Sequence, residues 1–252
     1  MIILLVMSCF SVSARGSRSK WSYISVIRHA CGGIDGTAYT NSKEALENSI
    51  MSGCGAVEID FRFTKDGVLV CAHEWDDIGL ESVPKAAKFE KYRINGLYTP
   101  MTAETALKIL AGTKCFLIID TKEKDTLSVY REIDRILSQI SGGEQLKERL
   151  VPQIYAQEEY EQLKAVYEYR NWIFTTYKLK LKKNSQFKEL AAFLKEKGIK
   201  TVTIPKEYVT EARIEYFTKK KIRVATHTVN DAEEWDAMTE MGVDIIYTDF
   251  GR

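Results

Sequence analysis

A chain of 252 residues can form one large domain or two small ones, and a single α/β barrel commonly has this size. Lys and Arg number 36 against 35 Asp and Glu, so the formal charge of +1 favours neither nucleic acid nor an anionic surface. The five cysteines include no CxxC pair and no metal-ligand spacing, which indicates small core residues.

Residues 1–22 form an N-terminal extension whose first fourteen residues, MIILLVMSCFSVSA, carry no charged side chain. This run is shorter than the roughly 20 apolar residues of a transmembrane helix, but it is long enough for the apolar region of a signal peptide. No Lys or Arg precedes it. Three explanations of this segment stay open. It could direct export or membrane association with peripheral membrane contact, it could pack on the folded domain, or the start site could be assigned too far upstream. Without a working signal, the protein is cytoplasmic.

From residue 23 onward, short β-rich runs alternate with segments of helical period. The β-rich runs are 23–30, 56–63, 115–122, 150–156, 172–178, 201–208, 223–229 and 244–250. The helical segments are 41–53, 101–112, 127–140, 157–170, 185–198, 211–221 and 230–242. This alternation is typical of βα units around a parallel sheet.

Several helices have recognisable start and stop signals. Asn41 with Glu44, and Asn230 with Glu233, have the spacing of a capping box. Glycines stand where four helices are expected to stop: Gly53, Gly112, Gly198 and Gly242.

Eight strands with intervening helices predict an α/β fold, a closed (β/α)₈ TIM barrel formed by a single domain over residues 23–252. An open doubly wound sheet is the alternative. The sequence ends two residues after the eighth run, which predicts that the last helix is missing. The first twenty residues are one candidate to cover the surface that this helix would protect.

The segment GVLVCAHEWD follows the second strand through the turn sequence KDG, which predicts a hairpin return. Residues 77–100 lack clear periodicity and contain INGLYTP, so we expect a loop over the barrel mouth. Long loops at this end of a barrel commonly carry function.

Polar side chains gather at the predicted carboxyl ends of the strands, where barrel enzymes place their working groups. These residues are Arg28, His29, Glu58, Asp60, His73, Asp120, Lys122, Gln153, Tyr155, residues 226–230 and Asp249. All three histidines of the chain are among them.

Glu58 and Asp60 share one face of a strand, because successive side chains alternate sides. Two neighbouring carboxylates resist ionising together unless a cation lies between them. With Asp120 as a third oxygen donor, the set suits one hard divalent cation, Mg²⁺ or Ca²⁺. Taken singly, the E-x-D pair could instead be an exposed edge pair or an Arg partner, and Asp120 with Lys122 could be a same-face ion pair.

The segments VIRHACGG, TNSKEAL, GAVEIDFRFTKDGVLVCAHEWD, LIIDTK, HTVND and GVDIIYTDF resemble the glycerophosphodiester phosphodiesterases in order and spacing, over residues 23–252. The resemblance implies that His29 and His73 are an acid and base pair and that Glu58, Asp60 and Asp120 are metal ligands. It also implies that Lys122 contacts phosphate.

Other residues are candidates to line a substrate pocket. Gln153, Tyr155 and His227 qualify by their position at strand ends. Packing within the core or rim is the commoner role of aromatic residues, and a hydrogen bond to neighbouring loop backbone is an equal alternative for His227. The family usually has an Arg directly after the first His, where this chain has Ala30, so Arg28 is the candidate to replace that phosphate contact.

Further departures concern the third acid and the seventh strand. The family usually has E-x-K where this chain has Asp120, one methylene shorter, and often a Trp where this chain has His227. The segment after the hairpin is also short for the family. These departures leave the choice of head group open.

The function implied by the resemblance is metal-dependent hydrolysis of a small glycerophosphodiester, an EC 3.1.4 reaction of lipid metabolism that gives glycerol 3-phosphate and an alcohol. The substrate's own 2-hydroxyl would attack, with His29 as base and His73 as acid. One alternative is a phospholipase C or sphingomyelinase D-like phosphodiesterase or lyase that acts on lipid head groups. Another is a non-catalytic barrel that binds a phosphorylated ligand.

Overall fold

The computed structural model describes residues 20–179, 181 and 183–251. The strands in this part of the chain are β1 (Val26–Arg28), β2 (Ala56–Phe63), β3 (Leu69–Cys71), β4 (Phe116–Thr121), β5 (Leu150–Ile154), β6 (Ile173–Thr175), β7 (Thr201–Thr203), β8 (Arg223–Thr226) and β9 (Ile245–Thr248). The α-helices are α1 (Lys43–Met51), α2 (Ala86–Lys91), α3 (Ala103–Ala111), α4 (Thr126–Leu137), α5 (Gly143–Lys147), α6 (Gln157–Lys164), α7 (Asn184–Lys197), α8 (Glu211–Thr218) and α9 (Ala232–Glu240). Predictions about the apolar run at residues 1–14 lie outside the described residues.

Eight of the strands form a closed parallel barrel. They pair in the order β1-β9-β8-β7-β6-β5-β4-β2, and β1 also pairs with β2 through Arg28 and Val57, which closes the ring. The predicted (β/α)₈ barrel is therefore confirmed, and the open sheet is excluded.

The predicted hairpin is present, but the loop after it is more ordered than expected. β3 pairs antiparallel to β2, with Phe61 opposite Cys71. Residues 77–100 contain α2 and a bridge between Ile94 and Tyr98. The prediction of a plain loop is wrong because buried apolar side chains, Phe89 among them, pack this segment into a small cluster of its own.

The helix starts are shifted by one residue from the sequence prediction. Ser42 and Asp231, not Asn41 and Asn230, are the N-caps of α1 and α9, and each accepts a backbone N–H with its side chain. The two asparagines instead donate to buried carboxylates of the candidate site described below. Glu44 does not close a capping box, because both of its oxygens accept hydrogen bonds from Thr99.

The predicted helix stops at glycines are confirmed, but several other helices end earlier than predicted, such as α6 at Lys164 and α8 at Thr218. Gly112 and Gly198 are C-caps of α3 and α7, and Gly53 and Gly242 have positive φ just after α1 and α9. The segment predicted as helix 127–140 ends at Leu137 and is followed by the separate α5.

Side-chain alternation on β2 divides the core into two layers. Val57, Ile59 and Phe61 belong to the large apolar cluster between the barrel and its helices. Ala56 belongs to a second cluster inside the barrel. Glu58 and Asp60 follow Ala56 at two-residue spacing, so they lie inside the barrel above it. The interior is therefore apolar where the strands begin and acidic where they end.

A short 3₁₀ turn at Trp21–Tyr23 closes the amino-terminal end of the barrel. The Trp21 indole N–H donates to Thr201 Oγ1 at 3.3 Å, and its ring meets that of Phe116 edge-on with centroids 5.4 Å apart. Arg223 donates to the backbone carbonyls of Trp21 and Ile24. These contacts seal the interior against solvent at the end away from the acids.

The cysteines that the structure describes are free, and three of them are buried: Cys31, Cys71 and Cys115. Cys54 is half-buried. The interpretation as core residues is confirmed for the three buried thiols. Within the described part of the chain, no helix has the length and apolar character needed to cross a membrane.

A close approach of two helices leads to a test of this packing. A Cβ on Gly143, at the start of α5, would lie 1.9 Å from the carbonyl oxygen of Leu137 at the end of α4, whereas a Cβ on Gly112 would lie 3.6 Å from its nearest neighbour. We expect Gly143→Ala to lower the free energy of unfolding by about 2 kcal/mol, since α5 must shift. Gly112→Ala, the matched control, should change it by less than about 0.5 kcal/mol. Urea unfolding midpoints measure both, and equal midpoints would contradict this packing.

Candidate active site

A cavity of about 220 Å³ opens where the barrel strands end. Its lining residues are His29, Tyr39, Glu58, His73, Asp120, Lys122, Gln153, Tyr155, Tyr177, His227 and Tyr247. Asp60 lies directly beside it, fully buried and in contact with Lys122. The structure thus brings together every predicted site residue except Arg28.

Glu58, Asp60 and Asp120 form a compact group of acids, each offering an oxygen within 4.8 Å of the others. Glu58 Oε2 accepts the backbone N–H of Ala30 at 2.7 Å, and Asp60 Oδ2 accepts from Asn41 Nδ2 at 2.8 Å. Glu58 Oε1 and Asp60 Oδ1 are buried and have no hydrogen-bond partner among the described residues. Two of the six carboxylate oxygens are therefore left without a donor.

Lys122 is the cation closest to this group. Its Nζ donates to Asp120 Oδ2 at 2.8 Å and lies 3.0 Å from Asp60 Oδ1, an ion-pair contact without hydrogen-bond geometry. The Tyr155 hydroxyl donates to both oxygens of Asp120 at 2.9 Å. Gln153 links this hydroxyl to Tyr247, since its Nε2 donates to Tyr155 and its Oε1 accepts from Tyr247, each at 2.9 Å.

The electrostatics of the acids follow from burial and mutual repulsion. Burial raises the pKa of Glu58 well above its usual range, and the charges of Asp60 and Asp120 raise it further. Burial also raises the pKa of Asp120, with Lys122 opposing and Asp60 reinforcing the shift. For Asp60, burial is outweighed by Lys122 and by the two histidines, so its pKa is lowered. Lys122 keeps its charge, because the acids raise its pKa despite burial.

A divalent cation fits this arrangement. Three ionised carboxylates beside one lysine leave a buried excess of two negative charges, and uncompensated buried charge is strongly destabilising. The oxygens of Glu58 and Asp60 that lack a hydrogen-bond donor are hard ligand atoms of the type that Mg²⁺ and Ca²⁺ prefer. Glu58, Asp60 and Asp120 could therefore hold a single hard divalent ion.

His29 lies in the turn after β1 and is held by a carboxylate from the other end of the sequence. Its Nδ1 is 2.9 Å from Asp249 Oδ1, and Asn230 Nδ2 donates to Asp249 Oδ2 at 2.6 Å. Asn230 Oδ1 in turn accepts the backbone N–H of Asp249 at 2.9 Å. The His29–Asp249 pair is buried, so Asp249 and Asn230 together fix the orientation of the imidazole.

His73 follows β3 and has a similar partner. Its Nδ1 lies 2.5 Å from Asp77 Oδ2, which also accepts the backbone N–H of Glu74 at 3.2 Å. This pair is about one-third exposed at the cavity rim. Because a carboxylate occupies Nδ1 in both histidines, Nε2 is the nitrogen left in each ring for proton exchange with a ligand.

Tyr39 separates the two histidines at the cavity mouth. Its ring centroid lies 4.7 Å from that of His29 and 5.0 Å from that of His73. His227 stacks on the other side of His29 at 5.7 Å, and Tyr177 packs against His227 at 4.1 Å. Burial and the neighbouring charges of His29 and Lys122 lower the pKa of His227 to about 3, so this ring stays neutral near pH 7.

Arg28 is the predicted site residue that the structure does not bring to the cavity. Ile27 occupies the interior face of β1, and the side chain of Arg28 lies on the other face, against the backbone of Gly251. The following residue, Ala30, is fully buried and contributes its N–H to Glu58 rather than a side chain to the cavity.

Sequence reasoning did not assign the residues that hold the catalytic candidates in place. Asp249 is a strand-end residue to which the sequence assigns no role, and Asp77 lies in the segment predicted as a loop. Asn41 and Asn230 have the spacing of helix caps, and that pattern does not indicate that their side chains donate hydrogen bonds to Asp60 and Asp249. The four-residue spacing of His73 and Asp77 is the one signal in the sequence that could have indicated a pair.

Comparisons with known proteins point to one family. Residues 15–251 match the profile of the family described as "Glycerophosphoryl diester phosphodiesterase family". No curated protein matches this sequence at a significant level.

Solved structures share the fold at low sequence identity. A candidate glycerophosphoryl diester phosphodiesterase from Silicibacter pomeroyi DSS-3 is 17% identical with a TM-score of 0.72, covering 92% of each chain. A glycerophosphodiester phosphodiesterase from Parabacteroides distasonis ATCC 8503 is 20% identical with a TM-score of 0.69, covering 90% of this chain and 92% of that one. A phosphodiesterase from Oleispira antarctica, solved with the product sn-glycerol-3-phosphate, is 16% identical with a TM-score of 0.70, covering 90% and 93%.

The acid group gives a prediction for Glu58→Gln. The pKa of Glu58 is raised in the folded state, so its ionisation near neutral pH lowers the stability of the ion-free protein. In EDTA, Glu58→Gln should therefore be at least as stable as the natural chain. Excess Mg²⁺ or Ca²⁺ should stabilise the natural chain, by about 2.7 kcal/mol at 100 times Kd, and the variant far less. Thermal unfolding with and without the ion measures both effects.

The matched control is Glu74→Gln, which removes an exposed acid paired with Arg62 outside the group and should keep the full response to the cation. On acidification, the natural chain should lose its stabilisation by the cation at a pH above the usual titration range of a carboxyl group. The reason is that Glu58, with its raised pKa, takes up a proton first. An undiminished response in Glu58→Gln would show that Glu58 is not a ligand.

Proposed function

Because this chain belongs to the glycerophosphoryl diester phosphodiesterase family and is a phosphoric diester hydrolase, we propose that it hydrolyses glycerophosphodiesters to glycerol 3-phosphate and an alcohol, by metal-dependent histidine acid and base catalysis. The observation that carries this proposal is the placement of two histidine–aspartate pairs beside one buried acid group in a single cavity.

The acid group and Lys122 address the main obstacle to the reaction. A phosphodiester repels nucleophiles because it is already anionic, so charge that develops on its oxygens must be compensated. A cation held by Glu58, Asp60 and Asp120 would supply that compensation when bound. Lys122 Nζ stands beside the same acids and is the protein's own fixed positive charge toward a phosphate in the cavity.

The histidine pairs divide the proton transfers between them. We assign His29 as the base that takes the proton of the substrate's 2-hydroxyl as that oxygen attacks phosphorus. His73 gives its proton to the alcohol oxygen as the original P–O bond breaks. Water then opens the resulting cyclic phosphate with the two roles reversed, which restores both protonation states. Asp249 and Asp77 hold the rings in the orientation that each transfer needs.

Three more residues of the cavity are proposed to contact substrate. Gln153 and Tyr155 present polar groups next to Asp120, and His227 stacks against His29 as a neutral ring. Arg28 is not included, because its side chain lies on the outer face of β1. The missing arginine leaves Lys122 as the positively charged side chain in the described lining of the cavity.

A lyase or phospholipase of the sphingomyelinase D type is the second candidate, favoured by the D-x-K sequence at Asp120 and Lys122. A non-catalytic barrel is disfavoured by the two oriented histidines. ³¹P NMR of glycerophosphocholine incubated with enzyme and Mg²⁺ or Ca²⁺ should show a glycerol 3-phosphate monoester as the end product. Accumulation of a cyclic phosphate would identify a lyase, and turnover of a sphingolipid or lysolipid alone would identify the phospholipase.

Separate substitutions of the two histidines test the acid and base assignment. We expect His29→Ala and His73→Ala each to lower kcat/KM by about 10³-fold, within the range for general acid–base catalysis. Stabilisation by the divalent ion should persist in both variants, because neither ring is a ligand. Retained turnover in either variant would refute its role, and loss of the ion response would show that the substitution damaged the acid group instead.

The Asp249 carboxylate gives a further test, since it acts through His29. We expect Asp249→Asn to lower kcat/KM by about 10- to 100-fold, the usual cost of losing an orienting partner. The double variant His29→Ala, Asp249→Asn should be no slower than His29→Ala alone, because the two side chains act as one unit. Additive losses would mean that Asp249 acts independently of His29.

A further inference from the structure

The end of the barrel opposite the catalytic cavity has a wide basic cavity of about 660 Å³. Residues before or at the start of the strands line it, among them Lys20, Lys114, Arg149, Lys200, Lys221 and Arg223. We call this surface the basic end of the barrel. The catalytic cavity lies where the same strands finish, so the two cavities face in opposite directions.

Positive charge at the basic end is poorly matched by acids. Glu148 is the acidic residue in the lining, and it pairs with Arg170 at 3.1 Å. Lys114, Lys200 and Lys221 have no acidic partner within 4.0 Å among the described residues. Their ammonium groups are therefore available to an external anion.

Two of the three arginines of the lining, Arg149 and Arg223, are held by the backbone. Arg149 donates to the carbonyls of Cys115 and Gln145, and Arg223 donates to those of Trp21 and Ile24. Carbonyl oxygens fix the guanidinium groups without removing their charge, because arginine stays protonated. The positive field of this end is thus part of the folded structure and does not depend on mobile lysines alone.

Two further features favour a lipid surface as the occupant. Tyr23 and Met51, the most exposed large hydrophobic residues described, at 77% and 79%, lie at this end of the barrel. Lys20 lines the cavity, and the nineteen residues that precede it in the sequence include two arginines and an uncharged apolar run. Basic residues next to exposed apolar side chains are typical of binding to anionic membranes.

Single-stranded nucleic acid is a weaker match. Its binding sites combine basic grooves with exposed aromatic rings on which bases stack. The aromatic residues in this cavity, Trp21 and Phe116, are buried against each other. The described lining therefore offers charge but no stacking surface, and Tyr23, exposed at the same end, adds a single ring where successive bases need several.

We propose that the basic end docks the protein on an anionic phospholipid surface, with the catalytic mouth turned toward the aqueous phase. The substrate is then a water-soluble, deacylated diester that reaches the mouth by diffusion, and not a lipid of the membrane on which the protein sits. This consequence for the substrate rests on the proposed function, whereas the docking itself does not.

Co-sedimentation of the full chain with vesicles tests the docking. Vesicles of phosphatidylcholine with about 30% phosphatidylglycerol should bind the protein at low salt, and about 0.5 M NaCl should release most of it. The triple variant Lys114→Gln, Lys200→Gln, Lys221→Gln should bind roughly 100-fold more weakly, since each lysine near such a surface contributes a similar increment. Its unfolding temperature and its turnover of soluble glycerophosphocholine should be unchanged.

The matched control is Lys85→Gln, Lys88→Gln, Lys91→Gln, which removes three exposed lysines in and before α2, in the segment beside the catalytic cavity. It should bind the anionic vesicles like the natural chain. Equal binding to pure phosphatidylcholine vesicles, or equal loss in both triple variants, would overturn the assignment to the basic end. Binding of a single-stranded oligonucleotide without binding to anionic vesicles would also overturn it.

Substrate competition on the vesicles tests the orientation. The vesicle-bound enzyme should hydrolyse soluble glycerophosphocholine as fast as the free enzyme and should leave lysophosphatidylcholine in the same vesicles intact. Faster hydrolysis of the embedded lysolipid would show that the mouth faces the membrane. Vesicle binding without turnover of any diester would instead mean that the proposed function fails while the docking stands.

Discussion

Repulsion among three buried carboxylates is the constraint on which the catalytic end of this barrel depends. Glu58, Asp60 and Asp120 lie within 4.8 Å of one another with one lysine between two of them. Asn41, Tyr155, Lys122 and the Ala30 backbone donate hydrogen bonds to four of the carboxylate oxygens. The other two, Glu58 Oε1 and Asp60 Oδ1, have no hydrogen-bond donor among the described residues and could ligate a cation. The surrounding side chains are arranged around this acid group.

Carboxylates also orient the two histidines of the cavity. Asp249, directly after the last strand, orients His29, and Asp77, four residues after His73, orients that ring. Oriented imidazoles, with one nitrogen committed to a carboxylate, have a defined tautomer and can exchange protons through the other nitrogen. The orientation of the histidines therefore depends on side chains within the family-like segments that the resemblance leaves without a role, among them Asn230 and Asp249.

The basic end shows that a nearly neutral chain can carry two opposite fields. The formal charge of +1 indicated no preference for an anionic surface. In the folded barrel, the acids of the catalytic site gather where strands end, while lysines and arginines gather where strands begin. Net charge is a sum over the chain and contains no information about this separation, which arises from the parallel direction of all eight barrel strands.

Three features could be predicted from the sequence: the barrel, the position of Glu58 and Asp60 inside it, and the cluster of polar residues at strand ends. All three follow from local periodicity and from the common direction of βα units. The sequence misplaced the caps at Asn41 and Asn230 and gave Arg28 a role at the cavity, since one residue of register on a strand or turn reverses the direction of a side chain. For His29, by contrast, the partner follows only from the tertiary structure. Asp249 lies 220 residues from His29 in sequence, and only closure of β1 against β9 brings the two into contact.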